Sequence, residues 1–151
     1  MSLRDLYQEI IIDHGKQPRN FGKLEEANHC QVGHNPLCGD KLVVYVLEKN
    51  KVIEEVRFVG EGCAISVASA SLMTECVKGK SMQEMEKLFS GFYHLVTEGK
   101  ETEENLGKLA VFSGVAEFPV RVKCATLAWH TLKAALADDA STVSTETGND
   151  L

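Results

Sequence analysis

The sequence has little concentrated positive charge. Its 151 residues hold 16 Lys or Arg against 22 Asp or Glu, a formal net charge of -6, with no basic cluster. Affinity for nucleic acid comes largely from clustered Lys and Arg, so no nucleic-acid partner is expected. Long apolar runs are also missing: none reaches the roughly 18 residues of a membrane span. The opening Met1-Ser2-Leu3-Arg4-Asp5 lacks the basic start and apolar core of a secretory leader, so the expectation is a cytoplasmic protein without a membrane partner. There is no Cys-x-x-Cys pair, and five cysteines are an odd count for a disulfide framework. With 44% hydrophobic residues the chain can bury a core without cross-links, and reduced thiols are the expectation.

What is present reads in order as helix, strands, then helices. Leu3, Leu6, Tyr7, Ile10 and Ile11 recur at helical spacing, with Ser2 placed to cap and Asp5 three residues on. This predicts a first helix ending near His14-Gly15. An irregular connection from Lys16 to about Asn28 precedes a short extended piece at His29 to Val32, where Cys30 and Val32 share a face and Cys30 reads as a small core residue. Leu42 to Leu47 and Val52 to Val59, parted by Glu48-Lys49-Asn50-Lys51, predict a hairpin. Gly60-Glu61-Gly62 then permits a tight strand-to-helix turn, with Cys63 at the helix start. The helix over Ala64 to Lys78 is rich in Ala and Ser, suits close packing, and ends at Gly79; Cys76 falls on its apolar side. Ser81 and Glu84 form a capping box for a third helix through Phe92. The stretch over 99–118 has no assignable pattern. Pro119 opens a last helix, with Cys124 in or near its first turn.

Cys38-Gly39-Asp40 places a thiol and a carboxylate on either side of a residue that bends freely. Zinc prefers a tetrahedron of thiolate, imidazole or carboxylate. Cys63 and Cys124, at helix starts, would ionise more easily because backbone N–H groups and the helix dipole favour a thiolate. Three thiolates and one carboxylate carry -4, which Zn(II) reduces to -2, and Arg121 and Lys123 stand beside Cys124 to offset the rest. Spacing leaves two other readings open. Cys38, Cys63 and Cys124 could be separate buried thiols, or one could be a nucleophile served by His14, His29, His34, His94 or His130.

Three motifs carry a resemblance: Asn-Pro-Leu-Cys-Gly-Asp at 35–40, Gly-Glu-Gly-Cys-Ala-Ile-Ser at 60–66, and Val-Lys-Cys-Ala-Thr-Leu-Ala-Trp at 122–129. Together they resemble the cysteine motifs of the IscU/SufU/NifU N-terminal family of iron-sulfur assembly proteins, with further likeness from Asp13-His14 to Phe21-Gly22. Within that family, Lys123 stands where the scaffold type carries a histidine, Phe118-Pro119-Val120-Arg121-Val122 replaces its chaperone motif, and the extra residues before Pro119 are similar to the SufU branch.

The resemblance implies an α+β fold over 1–137, a small antiparallel three-stranded sheet packed against about five helices with a metal site at one end, followed by a disordered polar tail over 138–151. It implies a Zn(II) site made by Cys38, Asp40, Cys63 and Cys124, and a sulfurtransferase that takes persulfide sulfur on Cys38 from a PLP-dependent cysteine desulfurase of the SufS type. In that scheme a partner histidine takes one zinc position and Cys38 is released, while Asp40, Cys63 and Cys124 keep the metal. Downstream iron-sulfur assembly proteins are the expected recipients, and Arg121 is a candidate docking residue. The alternative it implies is a scaffold carrying a transient iron-sulfur cluster. A further alternative is a non-catalytic module whose zinc only holds the fold.

Overall fold

The computed structural model describes residues 2–100, 105–137 and 143–144. Helix α1, Leu3–Lys16, starts at the predicted box: the Ser2 hydroxyl accepts the Asp5 N–H and the Asp5 carboxylate accepts the Ser2 N–H. Three strands follow, β1 (His29–Asn35), β2 (Asp40–Lys49) and β3 (Val52–Glu61), as an antiparallel meander. Leu42, Val44 and Val46 of β2 are buried at a period of two, as one covered face requires. In β3 the period breaks. Leu47 pairs with Glu55 but Glu48 with Ile53, so Glu54 bulges out and the buried set steps from Ile53 to Val56 and Phe58.

After β3 come α2 (Ala64–Val77), α3 (Met82–Glu98), a run of 3-10 turns over Gly107–Glu117, and α4 (Pro119–Leu136). The Ser81–Glu84 box caps α3. The predicted α+β plan of three antiparallel strands and five helices is therefore present. Val143–Ser144 adds a two-residue parallel strand, β4, on the free edge of β1, opposite Gly33 and His34. That pair falls within the tail expected to be disordered over 138–151, whose other residues lie outside those described. Among the described residues no helix is long and apolar enough to cross a membrane.

Two local expectations fail. β1 runs on to Asn35, and its buried residues are Gln31, Gly33 and Asn35, while Cys30 is exposed rather than a core residue. The reason is α4: a Cβ at Gly33 would overlap the Thr131 hydroxyl, so the helix lies on the face with the smallest side chain. The unassigned stretch becomes core. Leu109, Val111, Phe112 and Val115 are buried, and Phe112 meets Phe92 edge to face at 5.7 Å.

Small residues set the approach of the helices. Ser66, Ala68, Ser69, Ala70 and Ser71 of α2 are buried, and the Ser69 hydroxyl donates to the Ala125 carbonyl of α4 at 2.5 Å. That bond ties the first turns of α2 to the level of Cys124. It places two thiol-bearing segments side by side at one end of the sheet.

Candidate metal centre

The β1–β2 pairing ends at Asn35 opposite Asp40, and Pro36–Gly39 close the loop. The Cys38 N–H donates to the Asn35 carbonyl and the Gly39 N–H to the Pro36 carbonyl, both at 3.3 Å. Gly39 takes φ +71°, a left-handed conformation that suits glycine and turns the chain back into β2. Cys38 is thereby half-exposed on the loop beside Leu37, which is 78% exposed. Asp40, two residues on, is fully buried.

Asp40 is fixed by the β3–α2 turn. Its Oδ1 accepts the Cys63 N–H at 2.8 Å, and Cys63 Sγ lies 3.9 Å from its Oδ2. A Cβ at Gly62 would overlap Asp40 Oδ1, so the turn can approach the carboxylate only with glycine there. Cys63 is the N-cap of α2, and its sulfur accepts the Ser66 N–H at 3.4 Å. Cys124, 2% exposed on α4, accepts from Asn35 Nδ2 at 3.8 Å.

The expectation that both helix cysteines ionise easily holds for only one. A hydrogen bond from the Cys124 thiol and the Ser66 N–H hold Cys63 down to about 7, against the opposing effect of burial. Cys124 moves the other way. It donates that bond, and burial adds to the upward push on its thiol. α4 starts at Pro119, which puts Cys124 on the second turn, beyond the unpaired N–H groups of the first.

Cys38, Asp40 and Cys124 offer donor atoms that all lie within 4.8 Å of one another, and Cys63 adjoins both Asp40 and Cys124. Sulfur ligands about 2.3 Å from zinc stand roughly 3.8 Å apart in a tetrahedron. Cys38, Asp40 and Cys124 are thus close enough to share one ion, while Cys63 adjoins the group without being one of those three, and thiolates with a carboxylate suit Zn(II). The reading of three separate buried thiols does not survive this convergence. Three of the histidines have other hydrogen-bond partners: His14, His29 and His94 bond Ser71, Glu48 and Glu98.

Other residues named from the sequence lie near these motifs in different settings. Arg121 is exposed, with its guanidinium 4.3 Å above the Phe118 ring, and Lys123 is half-buried. Cys76 packs against the core at the other end of α2, its thiol pushed up to about 11 chiefly by burial. The sequence marks Gly62 as a turn residue but not as the seat of Asp40, and it assigns no supporting role to Ser66 or Asn35. An Asn-Pro pair signals a turn, and nothing in it tells that its carboxamide will face a sulfur 89 residues away.

The family described as NifU-like N terminal domain matches residues 6–125. The chain is 39% identical over 143 residues to the zinc-dependent sulfurtransferase SufU of Bacillus subtilis, covering 91% of this chain and 94% of that one. It is 40% identical over 141 residues to the iron-sulfur cluster assembly scaffold protein IscU of Streptococcus pyogenes, covering 92% and 87%. The crystal structure of FiSufU from Fervidobacterium islandicum AW-1 superposes with a TM-score of 0.80 at 38% identity, covering 89% of this chain and 99% of that one.

Proposed function

The chain belongs to the NifU-like N-terminal domain family of iron-sulfur cluster assembly proteins, and from that premise we propose that it is a zinc-dependent sulfurtransferase with Cys38 as the sulfur acceptor. The ligand set of the proposal is Cys38, Asp40, Cys63 and Cys124. The observation that carries it is the unequal setting of the three thiols. Cys63 and Cys124 stand on helices and accept N–H bonds from Ser66 and Asn35, Cys63 half-exposed at a helix start and Cys124 buried, whereas Cys38 stands half-exposed on a loop next to an exposed leucine. A docked partner can reach a loop thiol of this kind without opening the core or disturbing the start of a helix.

Zinc bound here would keep the thiolates deprotonated near neutral pH and mask them from adventitious oxidants. The donor of the sulfur is the persulfide of a PLP-dependent cysteine desulfurase, of the SufS type. The Cys38 thiolate attacks the outer sulfur of that persulfide, forming a new S–S bond as the old one breaks. The partner's cysteine leaves as a thiolate, and Cys38 holds the persulfide for downstream iron-sulfur assembly proteins. Asp40, Cys63 and Cys124 remain in place through this exchange. The proposed setting is the cytoplasm, where thiols stay reduced.

The similarity to IscU supports a second reading, a scaffold on which a transient iron-sulfur cluster is held by Cys38, Cys63 and Cys124. Anaerobic purification with metal analysis separates the two. Colourless protein with one zinc, which raises desulfurase turnover in a Cys38-dependent way, is the expected result. A brown iron and sulfide chromophore without such stimulation would favour the scaffold.

A further inference from the structure

Asn35 touches two of the three thiol-bearing residues. Its backbone carbonyl accepts the Cys38 N–H at 3.3 Å, and its side chain donates from Nδ2 to Cys124 Sγ at 3.8 Å. The residue is fully buried at the last position of β1, directly opposite Asp40. Its other side-chain atom, Oδ1, is buried without a hydrogen-bond partner. Buried acceptors are rarely left so, because the lost hydration is not repaid. The carboxamide is therefore poorly explained as packing, and what it does make is the bond to sulfur.

A thiolate only accepts hydrogen bonds, so an ionised Cys124 must face the N–H side of the carboxamide. Such a bond draws charge from the sulfur and fixes its direction, as outer hydrogen bonds do for metal ligands in general. Cys63 receives the same service from the Ser66 main chain, which substitution at residue 66 leaves in place. At Cys124 the donor is a side chain and can be removed.

We propose that Asn35 is a positioning residue that sets the order of reactivity among the thiols, holding Cys124 in the ligand set and leaving Cys38 as the one that reacts. The inference rests on the sulfurtransferase reading for its purpose, but its test does not depend on sulfur transfer. Zinc-saturated wild type, Asn35→Leu and Asn35→Ala are treated briefly with iodoacetamide and mapped by mass spectrometry; Asn35→Ala serves if the larger side chain prevents folding. Among the candidate ligands, wild type should be modified first at Cys38, with the exposed Cys30 as an internal reference. In the variants the ratio of Cys124 to Cys38 modification should rise about tenfold, the low end of what losing an outer hydrogen bond costs a metal site. In cobalt-substituted protein the sulfur-to-metal charge-transfer band should move to lower energy, since an unbonded thiolate gives up charge more readily. A folded variant with the wild-type ratio and an unmoved band overturns the proposal. If Asn35 governs the ratio but Cys38 takes no sulfur from a desulfurase, the functional reading fails and the assignment of Asn35 stands.

Discussion

Gly62 shows how far the candidate centre depends on single side chains. A methyl group there would overlap Asp40 Oδ1, which also accepts the Cys63 N–H. Gly62→Ala must therefore shift the carboxylate or the start of α2. Zinc affinity, measured by competition with a coloured chelator, should fall by roughly 10–100-fold; unchanged affinity would mean that Asp40 is not held by this contact. The candidate ligands were legible in the sequence as one of three open readings, because a thiol and a carboxylate across a glycine, and cysteines next to helix signals, are patterns with a chemical meaning. Their supports were not. Asn35 and Ser66 act through contacts across the fold, as does Gly62 beyond its part in the turn, and Cys124 moves against expectation because it donates to Cys63 and is buried.

Among the elements, the 3-10 run over Gly107–Glu117 departs most from its sequence. Phe112 inserts against Phe92, which stacks on Trp129 at 5.0 Å. Phe112→Ala should cost about 3–5 kcal/mol in urea unfolding; a loss near zero would mean that the run is not part of the core. Its pattern was unreadable because turns of three residues obey neither helical nor strand spacing, and Gly107, Ser113 and Gly114 interrupt it. α1 meets α2 through a buried polar contact. Ser71 accepts the Arg19 N–H at 2.8 Å and shares a hydrogen bond with His14 Nδ1 at 2.7 Å, while His14 Nε2 lies 3.8 Å from Glu75. Burial, followed by the Arg19 charge, holds His14 below its ordinary 6.5. The unfolded chain therefore takes up this proton first as pH falls. The contribution is intact above about pH 6.5 and is lost as pH descends toward the lowered folded value. The drop in denaturant midpoint between pH 8 and pH 5 should be smaller in His14→Gln; an equal drop would remove His14 as its source.

At the scale of the molecule, the hairpin strands and the four α-helices were legible because each has a period or an end signal of its own, whereas the fifth helix, the 3-10 run, was implied only by the family resemblance. β1 was read short, since its buried face carries Gln31, Gly33 and Asn35 and its apolar Val32 faces the other way. Only the seat of α4 on that face decides the matter. The core of Phe58, Leu72, Phe92, Leu127 and Trp129 is built without the candidate ligands. Chelation should therefore lower the unfolding midpoint by the lost binding energy yet leave helical circular dichroism and a cooperative transition. Collapse of the dichroism on chelation would instead point to zinc as the organiser of the fold. The central claim is that Cys38 receives sulfur. Its most direct test is to incubate the zinc-loaded protein with a PLP-dependent cysteine desulfurase and [35S]cysteine, then locate the label by peptide mapping. Label on Cys38, absent from Cys38→Ala and released by a reductant, is the expected result. Equal labelling of Cys38→Ala, or label confined to another cysteine, would contradict the account.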